Sequence, residues 1–159
     1  MLNVVVLNGG RGAATLIPAL LDRQGLHVTS VVNAYDDGKS TGEIRSFFGM
    51  LGPSDIRKVQ QLMLPKDDPH HDAHLALFTH RYSLDCNRDL VLDDLRSFAG
   101  GRCDQVGGIT LTSPSVLNSL RQYTQHFLDC LCLIEQVQGR VFSFADCSLM
   151  NCLYAGAYV

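Results

Sequence analysis

The chain has 159 residues, of which 46% are hydrophobic and 18% are charged; this supports a folded core and excludes a disordered polyelectrolyte. Its 13 Lys and Arg residues against 16 Asp and Glu residues give a formal net charge of −3, so we expect no nucleic-acid partner. The six cysteines lack Cys-x-x-Cys and zinc-finger spacing, and no signal peptide or apolar run of about 18 residues is present. We therefore expect a cytoplasmic protein with reduced thiols and no membrane contact.

The first part of the chain predicts a β-α-β unit. A β-branched run at 4–7 ends in the glycine turn 8–12, and an apolar helical stripe follows at 16–21. Gly25 is a plausible end for that helix, and a second strand is predicted at 27–33. Such a unit of about 30 residues joins two parallel strands by a right-handed crossover.

The rest of the chain is predicted to be mainly helical. Capping residues start the next two helices, Ser40 with Glu43 for the first and Ser54 for the second. Helices are predicted near 41–48, 55–64, 71–80, 88–99 and 115–138 and after Ser148, and short strands at 109–112 and 141–144. The longest helix should bury one stripe, formed by Val116, Leu120, Tyr123, Phe127, Leu131, Ile134 and Val137.

Together these elements predict one Rossmann-like α/β domain over residues 1–159, with three layers around a mainly parallel sheet. A helical and loop insertion is expected at 65–108. Only two strands are firm, and the last helix runs into Val159 without a stop signal, so we expect a domain truncated at its C-terminal end. The unpaired sheet edge and exposed apolar surface that follow predict poor solubility or a homo-oligomer.

The glycine turn is the first candidate for chemistry. Glycines let the backbone approach a ligand closely, and the amides of the following helix can face an anion. A tight turn without a ligand is an equally good interpretation of the turn alone. Gly10 and Gly12 form only part of a dinucleotide fingerprint, because Thr15 stands where a third glycine or alanine is expected, and no P-loop is present.

Polar residues after the second strand are the next candidate, because ligands of open α/β sheets bind beyond the carboxyl ends of the strands. Asn33, Asp36 and Asp37 lie there, and two adjacent carboxylates suit Mg²⁺ or a ribose hydroxyl, although a solvated acidic turn is commoner. Asp55 lies in the first turn of a predicted helix, where capping is the simpler interpretation. His70 and His74 could share a metal, but a solvated loop is favoured.

The segments 8–12, 32–45, 52–57 and 148–156 together resemble the family of 2-phospho-L-lactate transferases and their gluconeogenesis-factor relatives. The resemblance is dense over 3–64 and returns at the C-terminal end. It implies a Rossmann-like fold. In the transferase branch, a phospholactyl-type group moves from a guanosine-diphosphate-linked donor to a deazaflavin alcohol with Mg²⁺, releasing GMP. The other branch binds nucleotide-sugars and regulates carbon flow or cell-wall synthesis.

The resemblance also implies roles for individual residues. The metal would be held by Asp36, Asp37 and Asp55, with Asp36 or Asp37 also acting as catalytic base toward the acceptor hydroxyl. The nucleotide or phosphate would be bound by Gly9, Gly10, Arg11, Gly12, Asn33, Ser148 and Asn151. Three residues depart from the family pattern: Arg11 replaces a threonine and could pair with phosphate or plug the site, and Lys39 and Met150 replace glycines.

The sequence thus predicts Mg²⁺-dependent transfer of a phosphate-linked group from a nucleotide-diphosphate donor to an alcohol. No side chain is an obvious covalent nucleophile, so positioning and electrostatics would provide the rate. The first alternative is a non-catalytic regulator that binds a nucleotide-sugar, with a GDP-type donor or a UDP-sugar as the small-molecule partner. The second is an NAD-linked oxidoreductase, which the incomplete fingerprint disfavours.

Overall fold

We describe residues 1–10, 12–35 and 38–158 of a computed structural model, without the side chains of Lys39 and Ser40. The N-terminal unit consists of β1 (Leu2–Asn8), α1 (Leu16–Leu21) and β2 (Leu26–Val32). The two strands pair in parallel, with the register running from Leu2 opposite Leu26 to Asn8 opposite Val32. The predicted β-α-β unit and the Rossmann-like α/β class are therefore confirmed.

Helices dominate the remainder. Their bounds, with those of one small hairpin, are α2 (Lys39–Phe48), α3 (Ser54–Leu62), α4 (His71–Thr79), α5 (Arg88–Ala99), β3 (Gln105–Val106), β4 (Ile109–Thr110), α6 (Pro114–Gln138) and α7 (Leu149–Tyr158). The positions of all five helices predicted between 41 and 138 are confirmed, as is the final helix. The segment 65–108, predicted as an insertion, carries α4, α5 and β3. Among the described helices, none combines the length and apolarity of a membrane-spanning segment.

Two predicted strands do not extend the parallel sheet. The strand predicted at 109–112 contributes two residues, Ile109–Thr110, to an antiparallel hairpin with Gln105–Val106. The segment 141–144 alternates exposed and buried residues, with Phe142 and Phe144 buried, but it forms no strand. The amide of Phe142 donates instead to the Glu135 carboxylate (N to Oε1, 2.9 Å), so a side chain takes the place of a neighbouring strand.

Two helix starts differ from the predicted caps. The N-cap of α2 is Gly38 rather than Ser40, and the N-cap of α3 is Pro53 rather than Ser54. Proline has no N–H to leave unsatisfied, and its ring fixes φ near helical values, so it suits a helix start. The hydroxyl of Ser54 is therefore available for hydrogen bonds with side chains of other helices.

Two hydrophobic cores hold these elements. The small core comprises Ala13, Ile17 and Val59, where α1 and α3 pack against β2. The opposite face of the sheet carries Val5, Leu7 and Val31, which are 62%, 78% and 51% exposed. The large core joins α2, α4, α5, α6 and α7 around a group of aromatic rings, Phe47, Phe48, Phe127, Phe142 and Phe144.

The buried stripe of α6 matches the predicted one at Leu120, Phe127 and Leu131, but it is rotated by one residue at two other positions. Its buried residues are Leu117, Leu120, Thr124, Phe127 and Leu131. Tyr123 and Val137, predicted to be inside, are 36% and 76% exposed. Helix α7 explains the difference at Tyr123, because it packs backbone to backbone against that part of α6. A Cβ atom on Gly156 would lie 1.8 Å from the Tyr123 carbonyl oxygen. At this contact, α6 therefore presents its backbone, and not the Tyr123 side chain, to α7.

Candidate functional site

The first turns of three helices meet in a buried group of polar side chains. Thr41 lies in the first turn of α2, Ser54 begins α3 and Asn151 lies in the first turn of α7. The Thr41 and Ser54 hydroxyls share a short hydrogen bond, and Asn151 Nδ2 donates to Ser54 Oγ at 3.3 Å. These three side chains are buried, as is Ser148, which directly precedes α7. We term Thr41, Ser54, Ser148 and Asn151 the polar cluster.

The polar cluster has unused hydrogen-bonding capacity. Asn151 Oδ1 and Ser148 Oγ are buried without a hydrogen-bond partner among the described residues. Leaving such an atom unpaired costs about 1–3 kcal/mol, so native structures seldom tolerate it without a reason. The positive ends of three helix dipoles also lie side by side here, which is unfavourable unless negative charge compensates them. The Ser148 hydroxyl and the helix N-termini can therefore serve an anion, and Asn151 can do so only through its amide nitrogen, after rotation of the amide group.

The glycine turn approaches α3 closely. A Cβ atom on Gly10 would lie 2.4 Å from Asp55 Oδ1 and 2.6 Å from Lys58 Cδ, and one on Gly9 would lie 3.3 Å from Asp55 Oδ2. Only glycine permits this contact at Gly10. A Cβ atom on Gly12 would meet open space. The structure thus brings the predicted residues Gly9, Gly10 and Asp55 together, beside the first turn of α3.

Asp55 is paired with Lys58, whose Nζ lies 3.0 Å from Asp55 Oδ1. Within the described ranges, no three His, Cys, Asp or Glu side chains form a group that could hold a metal ion. A hard cation such as Mg²⁺ prefers several oxygen ligands. The other predicted ligands, Asp36 and Asp37, lie outside the described residues, so a fit of Mg²⁺ to this site rests on them and stays a prediction.

The remaining predicted site residues are distributed around this region. Asn33 is exposed, and its Oδ1 accepts a hydrogen bond from the Tyr35 amide (3.1 Å). The loop after β2 is tied to the approach to α3 by a bond from the Gly52 amide to the Ala34 carbonyl (2.9 Å). Arg11 lies outside the described residues. Met150 is 6% exposed and belongs to the large core.

Arg57 is an additional candidate. It ends the segment 52–57, but the family resemblance implies no role for it. It lies one turn after Ser54 and is 9% exposed. Its Nη1 donates to the Phe78 carbonyl oxygen at 2.5 Å, and its Nε is buried without a partner in the described part of the chain. Burial lowers the pKa of Arg57, and nearby Arg81 lowers it further, yet a guanidinium stays charged. The spacing of Ser54 and Arg57 on one helix face was the signal available.

Residues along one face of α3 and one face of α7 extend the polar cluster. Further along the same two helices than the contact of Ser54 with Asn151, the Tyr154 hydroxyl donates a hydrogen bond to the Gln60 side-chain oxygen. Burial raises the pKa of Tyr154, so the phenol remains protonated at neutral pH. The face presented by α3 and α7 therefore carries hydroxyl and amide groups and the Arg57 cation.

The two histidines considered for a metal make separate contacts. The His70 ring bonds through Nδ1 to Thr112 Oγ1 at 2.8 Å, whereas His74 Nδ1 lies 3.3 Å from Asp68 Oδ2. Hydrogen bonding from the His70 amide, together with both imidazoles, holds the pKa of Asp68 below its usual value. The contact of His70 with Thr112 joins the loop before α4 to the segment that precedes α6.

A parallel β-α-β unit with a glycine turn, beside three converging helix N-termini, defines a Rossmann-like α/β protein with a buried polar site. Residues 4–147 match the sequence profile of the family described as 2-phospho-L-lactate transferase CofD, and the chain belongs to that family.

Among its curated relatives are proteins named gluconeogenesis factor from Listeria monocytogenes and Listeria innocua. Each is 31% identical over 143 residues, covering 90% of this chain and 38% of the relative. The chain thus spans less than two fifths of the length of these relatives. No solved structure matches it significantly.

Proposed function

We propose that the chain binds a nucleotide-linked phosphate ligand at the polar cluster and takes part in transfer of a phosphate-linked group to an alcohol. The observation that carries this proposal is the meeting of three helix N-termini around Asn151, with two buried polar atoms left unpaired among the described residues. A phosphate has several acceptor oxygens and negative charge, so it suits helix N-termini. Family membership supports the transfer chemistry.

Charge compensation supports a phosphate in particular. Ser148 Oγ and the Arg57 Nε are unpaired donors in the described part of the chain, and both lie near the start of α7 or α3. A phosphate oxygen accepts such bonds, and charge-assisted hydrogen bonds are about twice as strong as neutral ones. The amide of Asn151 can rotate to offer either its oxygen or its nitrogen. A pyrophosphate-linked donor would therefore accept hydrogen bonds from the unpaired donors and neutralise the positive helix ends of the polar cluster.

In the proposed reaction, the acceptor hydroxyl oxygen attacks phosphorus of the donor, and a nucleoside monophosphate leaves with the bonding electron pair. The hydroxyl proton passes to a base, for which Asp36 or Asp37 is proposed. Helix N-termini and Arg57 stabilise the charge that builds on the phosphoryl oxygens. Mg²⁺, if held by Asp36, Asp37 and Asp55, would supply additional charge neutralisation.

A second candidate is a non-catalytic nucleotide-sugar-binding regulator. It is favoured by the name gluconeogenesis factor, which the Listeria relatives carry. Both candidates require the same phosphate site and differ in turnover. The NAD-linked alternative lacks a complete glycine fingerprint, since Thr15 occupies the position of the third glycine.

Titration calorimetry with GDP, a UDP-sugar and NAD, each with and without Mg²⁺, tests the proposal. We expect GDP or the UDP-sugar to bind and NAD not to bind. Asn151→Ala should weaken binding by about 10-fold or more, because it removes a hydrogen-bonding group from the centre of the polar cluster. Asn118→Ala, on the exposed side of α6, is the matched control and should leave binding unchanged.

Release of nucleoside monophosphate in the presence of a deazaflavin alcohol would favour the transferase, and binding without release would favour the regulator. Asp36→Asn and Asp37→Asn should each reduce the Mg²⁺-dependent part of the affinity. The assignment of the site would be contradicted if Asn151→Ala bound the nucleotide as tightly as the wild-type protein and also kept the wild-type melting temperature.

A further inference from the structure

Two cysteines that no function above uses lie side by side at the start of α7. Cys147 precedes the helix and Cys152 lies in its first half, and their Sγ atoms are 3.7 Å apart. The two side chains are 2% and 0% exposed. Among the described residues, this is the one pair of cysteines whose sulfur atoms are within hydrogen-bonding distance of each other.

The backbone on both sides of the pair is fixed. The Cys147 amide donates to the Phe144 carbonyl, and its own carbonyl accepts from the Tyr82 amide, each at 2.9 Å. Cys152 is held within α7, which packs closely on α6. The thiols are therefore held together by the fold. A disulfide has an S–S length of about 2.05 Å, so the sulfurs need to approach by roughly 1.7 Å, a movement of the size that χ1 adjustments provide.

We propose that Cys147 and Cys152 form a reversible intramolecular disulfide when the protein meets a peroxide. One thiol sulfur, that of Cys147, attacks a peroxide oxygen and breaks the O–O bond, which gives a sulfenic acid and, from hydrogen peroxide, water. The Cys152 sulfur then attacks the sulfenic sulfur, forms the S–S bond and releases a second water. Two thiols are oxidised and one hydrogen peroxide is reduced.

The two cysteines flank part of the polar cluster in the chain. Ser148 and Asn151, both members of the polar cluster, lie between the two cysteines in the chain. Both thiols are almost fully buried, so peroxide reaches them only when the start of α7 opens locally. Oxidation therefore reports on this local opening, and reduction by a dithiol restores the thiols.

Mass mapping of the 159-residue chain tests this proposal without any ligand. The segment 141–159 contains no Lys or Arg, so trypsin releases it as one peptide with Cys147 and Cys152 as its two cysteines. After exposure to hydrogen peroxide and alkylation under denaturing conditions, we expect this peptide to lose two hydrogen atoms and to carry no alkyl group. Treatment with dithiothreitol before alkylation should return it to the doubly alkylated form.

Cys86→Ser is the matched control, because Cys86 is another thiol near this region: burial, Asp85 and the Cys147 thiol all raise the pKa of Cys86. The disulfide should form equally in this variant and should be absent in Cys152→Ser. The proposal fails if the wild-type peptide stays doubly alkylated while the exposed Cys132 is oxidised, or if Cys147 is found linked to Cys86. Because the readout is a mass, it is independent of whether the polar cluster binds a nucleotide.

Discussion

Gly10 is the residue at which the first loop touches α3, and adding one methyl group there should disturb the site. We expect Gly10→Ala to lower the free energy of unfolding by about 1–3 kcal/mol, because its Cβ would overlap the Asp55 carboxylate and the Lys58 stem. Gly12→Ala places its methyl group in open space and should change stability by less than about 0.5 kcal/mol. Urea denaturation of both variants checks this prediction, and equal stabilities would contradict the close approach.

His80 should make the stability of the protein depend on pH. Its Nε2 is buried without a partner among the described residues, its ring lies edge-on to Tyr82, and it packs against Gly107. Burial lowers the pKa of His80, and the opposing influence of Asp94 does not offset it. The unfolded chain therefore takes up a proton near pH 6.5 that the folded chain does not. Stability should fall as the pH drops below this value.

Urea denaturation at pH 7.5 and pH 5.5 measures this effect. We expect the wild-type protein to lose more stability between these pH values than His80→Gln, which has no imidazole to protonate. His126→Gln, on the exposed side of α6, is the control and should keep the wild-type pH dependence. A His80→Gln profile parallel to that of the wild-type protein would assign the dependence to other groups.

At the scale of whole elements, the contact between α6 and α7 positions the site. The carbonyl of Tyr123 lies where a side chain on Gly156 would have to be, so Gly156→Ala must push the two helices apart. We expect a loss of about 3 kcal/mol or more in the free energy of unfolding. Because Asn151 lies on α7, the same change should also weaken ligand binding. Ala157→Ser, at an exposed position next to Gly156, should have little effect on either measurement.

The elements could be predicted from the sequence because their signals are local. The run at 4–7, the stop at Gly139 and the apolar periodicity of α6 each act within a few residues. The predicted stop at Gly25 is wrong, because α1 ends at Leu21 with Asp22 as its C-cap, and Gly25 directly precedes β2. The role of Ser54 could not be predicted in this way. A Ser before a helix favours a cap, but its actual partner, Asn151, is 97 residues away in the chain. The difference at Tyr123 likewise follows from a backbone contact with Gly156 that leaves no periodic pattern.

Sequence motifs indicate only part of the candidate site. Gly9, Gly10, Asp55 and Asn151 were proposed from the sequence, and the structure places them beside the first turns of α3 and α7. Thr41 was not proposed, because a threonine inside a predicted helix is usually neutral, and its burial against Ser54 depends on how α2 and α3 pack.

At the scale of the whole molecule, the outer face of the β1–β2 sheet should drive self-association. Val5, Leu7 and Val31 present adjacent apolar side chains to solvent there. We expect the double variant Val5→Thr, Leu7→Thr to sediment more as a monomer than the wild-type chain, since threonine keeps β propensity while removing apolar surface. Leu90→Gln removes an isolated exposed leucine from α5 and should not change the sedimentation profile.

The division into two hydrophobic cores implies that the molecule does not open as one unit. The core of Ala13, Ile17 and Val59 is small, and the strands above it are solvated on their other face, whereas the buried Phe127 and Phe142 belong to a much larger cluster. Local opening of the β-α-β unit should thus cost less free energy than global unfolding. Amide hydrogen exchange should therefore be measurably faster in β1 and β2 than in the centre of α6. The contact of Gly9 and Gly10 with α3 belongs to this less stable unit, so it should open before the large core does.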